Sequence, residues 1–296
     1  MRIDLKDKNA QEILHWFENN PIQHTDDTTL EIEILQSDIE RIGYKAWIDF
    51  AQLHNLKMLT PHTQDNNILL LRFQKLNTKQ SFHQSGDKSS EKYGIDSEFF
   101  TIDKTMQFTF IYHYEKALNF INITDKKRVL NLGVNKGDEF HVIQNMLAQD
   151  KIQEKEFVGI DYSQSAISYA QNNFTDANFN FICHDINKLS ELNLGKFDLI
   201  ISIGTLQSSN LNFKEVFMNM YQNHLEKDGA IILGFPNCRW IDGEMIYGAK
   251  APNYNFPEMS LVIKDIYFCK KYLQQKRYRV TLTGKDYIFL TARKIL

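Results

Sequence analysis

Residues 128–138, RVLNLGVNKGD, followed at 159–161 by GID, decide the reading of this chain. An apolar run ends at Leu132 in a turn punctuated by Gly133 and Gly137, and a helical pattern follows. A second apolar run ends in a lone carboxylate, Asp161. Parallel strands end this way where a nucleotide-type cofactor lies across their C-terminal edge. A plainer account is that the two glycines only end a strand and start a helix. A dinucleotide fingerprint, G-x-G-x-x-G, fits worse, because Asn135 and Asp138 stand where it needs glycine.

On either side of this stretch the chain alternates in type. Apolar runs predict strands at 127–132, 156–160, 178–183, 197–203 and 230–235. Helical periodicity predicts helices at 103–122, 137–149, 163–173, 212–225 and 261–276, with only a short turn near 187–191. Strands apolar over most of their length are those covered by helices on both faces. The end of the chain, YRVTLTGKDYIFLTAR from Tyr278, has two strand patterns joined at Gly284-Lys285-Asp286, a hairpin signal.

The first 76 residues differ. A helix at 8–19, a strand TLEIEIL at 29–35, a helix at 38–54 and strands at 57–61 and 67–76 predict a small α+β domain. Residues 77–102 are read as a linker, since 77–97 are polar with several serines and two glycines.

Composition narrows the function. Of 296 residues 43% are hydrophobic, enough for a sizeable core, and the formal net charge is −3. The sequence pI of about 6.3 argues against a bulk basic face for nucleic acid. Cys183, Cys238 and Cys269 lie far apart without a C-x-x-C pair, so neither a disulfide framework nor a metal site is suggested. The N-terminus is too polar for a signal peptide, and no apolar run has the length of a membrane span. The expected compartment is cytoplasmic.

Five β/α units closed by a C-terminal hairpin resemble the class I S-adenosylmethionine-dependent methyltransferases, over residues 103–296. The resemblance implies an α/β, Rossmann-like, seven-stranded, mostly parallel sheet whose last strand slots in antiparallel, here with a small N-terminal α+β domain added. It implies S-adenosylmethionine as cofactor. The family's first motif runs apolar-apolar-acid-apolar-Gly-x-Gly-x-Gly. This chain keeps Gly133 and Gly137 but has Asn131 for the acid and Asn135 for the middle glycine. Asn135 still reaches the left-handed conformation at modest cost, so the turn survives. Loss of the acid at 131 weakens a contact to the cofactor's amino group.

By the same resemblance Gly133 faces the methionine part and Asp161 takes the ribose hydroxyls, although Asp161 is also placed to cap a helix before Ser163. Asp185 takes the adenine amino group, and Tyr162 and Ile186 flank the purine, unless Ile186 is ordinary core. Ile203 and Gly204 face the transferred methyl. Asp138 is read as a structural residue of the first helical turn.

Methyl transfer from a sulfonium is an in-line displacement that needs positioning more than a fixed catalytic group. The loop after the fourth strand lacks the N/D-P-P-Y/F signature of many enzymes that methylate exocyclic or amide nitrogens, yet Thr205 and Gln207 are placed to orient a substrate. Residues 235–259 form a long connection rich in aromatic and charged residues, read as an ordered lid. Within it Asn237, Arg239, Tyr247 and Lys250 are candidate substrate contacts, and Asp242 and Glu244 candidate catalytic groups. Salt bridges tying down a structural loop are an equal account of each charge. Cys238 is read as a bystander.

Three functions remain open on sequence grounds. The first is methylation of a small or medium metabolite. The second is methylation of RNA, with the N-terminal domain gripping tRNA. The third, motivated by Asn131 and Asn135, is a non-catalytic binder of S-adenosylmethionine. The N-terminal domain is alternatively a dimerisation module, with TLEIEIL pairing across a two-fold axis into a homodimer.

Overall fold

Alternation organises the N-terminal region. In strand β2 (Thr29–Leu35), Leu30, Ile32 and Ile34 are buried while Thr29, Glu31 and Glu33 are half-exposed, the period-two pattern of a sheet packed on one face. The computed structural model describes residues 1–20, 29–64, 67–78, 90–249 and 257–295. It divides into two units, Met1–Ser85 with Trp240–Ile246, and Gly86–Arg239 with Tyr247–Leu296.

In the first unit β2 lies between β1 (Arg2–Asp4), with which it is parallel, and β4 (Ile68–Lys75), which is antiparallel and also pairs with β3 (Leu56–Gln64). Strand β1 was not expected, because three residues are too short to show a period. Its presence occupies the free edge of β2, so TLEIEIL is an interior strand and is not available to pair across a two-fold axis. Helix α1 (Ala10–Asn19) opens with a reciprocal capping box between Asn9 and Glu12. The single helix expected at 38–54 is two, α2 (Gln36–Ile42) and α3 (Tyr44–Leu53), broken at Gly43. Gly43 has φ of +84°, which ends one helix and starts the next. Trp47, Phe50, Phe73 and Phe17 fill the core between helices and sheet.

In the second unit the sheet runs β7 (Phe179–Cys183), β6 (Glu156–Asp161), β5 (Arg128–Leu132), β8 (Phe197–Ile203), β9 (Leu225–Pro236), β13 (Tyr287–Lys294) and β12 (Tyr278–Gly284). Strands β5 to β9 pair in parallel. Strand β13 is antiparallel to both β9 and β12, as the C-terminal hairpin implies. Strand order reverses at β5, between β6 and β8, and this switch point opens a crevice outside the carboxyl ends of the strands.

Short helix α4 (Glu98–Thr101) precedes α5 (Phe108–Phe120), which packs Phe110 against Tyr287 and Phe289 of β13. The helix expected from 103 starts later, after a 3-10 turn at Lys104–Met106. Helices α6 (Asp138–Met146), α7 (Gln149–Gln153) and α8 (Gln164–Asn173) follow β5 and β6. Helix α9 (Phe213–Asn219) relaxes into a π-turn at Met220–His224, and β9 begins five residues before the strand expected at 230. Strands β10 (Cys238–Ile241) and β11 (Glu244–Tyr247) form a two-stranded ribbon. Helix α10 (Ser260–Gln275) buries Val262, Ile266, Cys269 and Leu273 in the main core. Among the described residues no helix is long and apolar enough to cross a membrane.

Candidate cofactor site at the ends of the parallel strands

Strand β5 stops at Leu132 because the next residue turns back. Gly133 stands at φ +76°, and its N–H, like that of Val134, donates to the Ile160 carbonyl of β6. A Cβ at Gly133 would fall 2.0 Å from Thr205 Oγ1. The glycine therefore allows the first loop and the loop after β8 to touch. Asn135 takes φ of +44°, the left-handed conformation its short amide tolerates. Gly137, at φ +93°, leads into α6, and a Cβ there would meet the Phe174 ring at 2.4 Å.

Asp161 ends β6 and is 7% exposed. Its Oδ2 accepts from Asn135 N at 2.9 Å and its Oδ1 from Ser163 N at 3.0 Å. Helix α8 is capped by Ser163, whose hydroxyl accepts from Ala166 N. The capping account of Asp161 therefore gives way. Its carboxylate clamps the glycine loop to the strand end. Burial raises its pKa against the pull of those backbone N–H groups.

Asp185 accepts from the backbone and side chain of Asn187, starting the 3-10 segment Ile186–Leu192. Ile186 is buried in the main core cluster, whereas Tyr162 is 46% exposed. Ile203 is buried, and Gly204 at φ +76° donates to the Gly234 carbonyl. Thr205 stands against Gly133, and Gln207 is exposed.

The structure adds residues that sequence reading missed. Residues 90–104, taken as linker and helix start, fold onto the loops of the second unit. Glu91 accepts from Gln164 N at 2.9 Å and from the hydroxyls of Ser163 and Ser165. Asn135 donates its amide to the Tyr93 carbonyl at 2.7 Å. Lys136 Nζ donates to the carbonyls of Phe100 and Ile102. Beneath this cover Lys104 Nζ meets Glu139 Oε1 at 2.5 Å, with Glu139 only 1% exposed. Asn131 Nδ2 donates to Glu139 Oε2 at 3.1 Å. Burial alone would lower the lysine pKa, but the Glu139 and Asp138 carboxylates raise it. Burial pushes the Asp138 carboxyl up to about 6. The signal available in the sequence was a second acid, Glu139, two residues past Gly137, in a chain that lacks the acid at 131.

The acceptor-side candidates are differently placed. Asn237 is buried, donating its amide to the Lys285 carbonyl, while its Oδ1 has no partner among the described residues. Arg239 donates to the Gly248 carbonyl at 2.9 Å, and burial lowers its pKa. Tyr247 is 43% exposed. Burial pushes the Cys238 thiol up to about 12, which leaves it a bystander. Asp242 and Glu244 belong to the first unit. There Asp242 accepts from Asn77 N, and Glu244 pairs with Lys57. Both carboxylates have partners within their own unit. Lys250 lies outside the described residues, as do residues 79–89 of the expected linker.

A parallel sheet switching direction at a glycine loop, with an acid ending the next strand and an antiparallel terminal hairpin, is a Rossmann-like fold. The chain belongs to the methyltransferase-domain family, whose model matches residues 123–281. Membership of that family makes it a methyltransferase. Similar solved structures include an S-adenosylmethionine-dependent methyltransferase from Aquifex aeolicus (14% identity, 62% of this chain and 89% of that one, TM-score 0.42). The N-methyltransferase NodS from Bradyrhizobium japonicum, in complex with S-adenosylhomocysteine, is 14% identical over 64% of this chain and 89% of its own, with a TM-score of 0.44. TehB from Haemophilus influenzae is 14% identical over 77% and 70%, with a TM-score of 0.42. No curated protein matches the chain.

Proposed function

We propose that the chain methylates a small or medium metabolite. The observation that supports this is the charge state of the N-terminal unit. Arg2, Lys6, Arg41, Lys45, Lys57 and Arg72 each meet a carboxylate of the same unit: Glu33, Asp4, Asp38, Asp49, Glu244 and Glu31 respectively. Cations already neutralised by neighbours contribute little to gripping phosphates, which is what RNA binding chiefly requires. The near-neutral charge balance of the whole chain points the same way.

The residues present suit the cofactor. Gly133 admits no Cβ, and the buried Asn131 Oδ1 has no partner among the described residues. Asp161 would hold the ribose, Asp185 the adenine amino group, and Ile203 with Gly204 would border the methyl. The bound sulfonium supplies an activated methyl. What the chain adds is alignment of the acceptor and exclusion of water, worth about 7–11 kcal/mol when the geometry is good. Thr205, packed against Gly133, and Gln207 are the candidates we assign to orienting the acceptor.

The test is transfer of labelled methyl from S-adenosylmethionine into fractionated cell extract. Label is expected in the small-molecule fraction. Label in tRNA, with binding that falls steeply between about 50 and 200 mM salt, would favour RNA instead. Cofactor binding without label in any fraction would favour the non-catalytic reading.

A further inference from the structure

Asn131 is fully buried, and only half of its amide is used. Its Nδ2 donates to Glu139 Oε2 at 3.1 Å, but among the described residues its Oδ1 meets no hydrogen-bond donor. Buried acceptors are nearly always satisfied in folded proteins. Beside this orphan lies an ion pair that the fold does not obviously need. Lys104 and Glu139 are both sunk in the protein, and a buried pair is weak evidence for stability, since apolar residues of similar volume often do as well. Asn131 stands near the end of β5 and Glu139 in the first turn of α6, on the two sides of the Gly133 loop, and Lys104 reaches Glu139 from the 3-10 turn Lys104–Met106.

We infer that Lys104, Glu139 and the free Oδ1 of Asn131 form a seat for the α-amino-acid end of the cofactor, with Glu139 and Asn131 taking the ammonium and Lys104 the carboxylate. This rests on the reading that the crevice at Gly133 holds S-adenosylmethionine. An amino-acid zwitterion carries one charge of each sign, so each member of the pair exchanges its protein partner for a ligand group. Neither buried charge is left unpaired at any stage, which is the condition a low-dielectric site imposes. The ammonium brings three donors, enough for a Glu139 oxygen and for the orphaned amide oxygen. On this account Glu139 replaces the acid missing at 131, moved eight residues along and held in place by the asparagine. Lys104 is delivered by the 90–104 segment, which Lys136 and Asn135 pin by their bonds to the carbonyls of Phe100, Ile102 and Tyr93.

The test is calorimetric binding to the full chain of S-adenosylhomocysteine and of 5′-methylthioadenosine, which lacks the amino-acid end. Wild-type protein should bind S-adenosylhomocysteine at least about tenfold tighter, the effect of one charged hydrogen bond or more. Lys104→Met and Glu139→Gln should each remove most of that difference and leave 5′-methylthioadenosine affinity unchanged. Thermal melts would confirm that the variants are folded. Equal wild-type affinity for the two compounds overturns the seat without needing any variant. So do folded variants that keep the tenfold difference, or that lose both affinities in parallel. Wild-type protein that binds neither compound would instead remove the crevice reading itself, and the seat with it.

Discussion

The chain carries its charges in two ways. Around the β5 loop, Asp161 and Glu139 are buried and Lys104 half-buried, and they are shared among backbone N–H groups, an asparagine and one another. In the N-terminal unit most charges pair near the surface, as Lys45 with Asp49 and Lys57 with Glu244 do, with Asp38, held by Arg41, the buried exception. An exposed pair costs little to form and contributes little, about 0–1 kcal/mol. A buried charge must be paired or neutralised, and removing its partner is expensive. The contrast teaches where function is to be sought, because buried charge is retained at a cost that exposed charge does not incur.

The largest effect should come from breaking the buried pair. Lys104→Met leaves Glu139 bare, and urea unfolding should show a loss of about 3–5 kcal/mol. The double variant Lys104→Met with Glu139→Gln should recover much of it, since the coupling between neighbours is what the first change loses. If the single change costs no more than an exposed pair does, the contrast between the two regions fails.

Gly133→Ala comes next. The residue needs φ of +76° and its Cβ would strike Thr205. Backbone strain of about 1–3 kcal/mol should lower the melting temperature and weaken S-adenosylhomocysteine binding together. An alanine variant with unchanged cofactor affinity would detach the loop from the site.

Asp138 sharpens the comparison through pH. Its folded pKa is raised to about 6, so between the ordinary aspartate value and 6 the folded state binds more protons than the unfolded chain. Stability contributed by this group is therefore full at low pH and is lost as pH rises through 6. Asp138→Asn should be the more stable form at pH 7.5, by about 1–2 kcal/mol, with the advantage vanishing near pH 4. A difference that is constant across this range would remove the buried carboxylate as its cause.

The smallest effect is expected at the ribbon. Glu244→Gln should change stability by less than about 1 kcal/mol and leave cofactor affinity alone. A large loss of methyl transfer with intact folding would make Glu244 a catalytic group and blur the contrast.

Much of the sheet was legible because its signals are local. The run FDLIISI is a strand at the expected residues, and the hairpin around Gly284 pairs as its turn chemistry predicts. Asn135 takes the left-handed turn that its position demands. Short or interrupted elements were not legible. Strand β1 has too few residues for a period, and Gly43 splits an apolar helical pattern that looks continuous. Residues 90–104 are polar like a linker, and only their partners, the Ser163 hydroxyl, the amide of Asn135 and the ammonium of Lys136, show that they are folded in place.

Periodicity and turn chemistry act over a few residues, so the order of strands, the glycine loop and the carboxylate at Asp161 could be read directly from the amino acids. Burial acts between residues distant along the chain. Lys104 reaches Glu139 across 35 positions, and Asp242 meets Asn77 across 165. Only the folded arrangement could separate the charge sunk beside the cofactor loop from the charge that ties down a ribbon, because the same residue types serve in both and their surroundings alone set the energy.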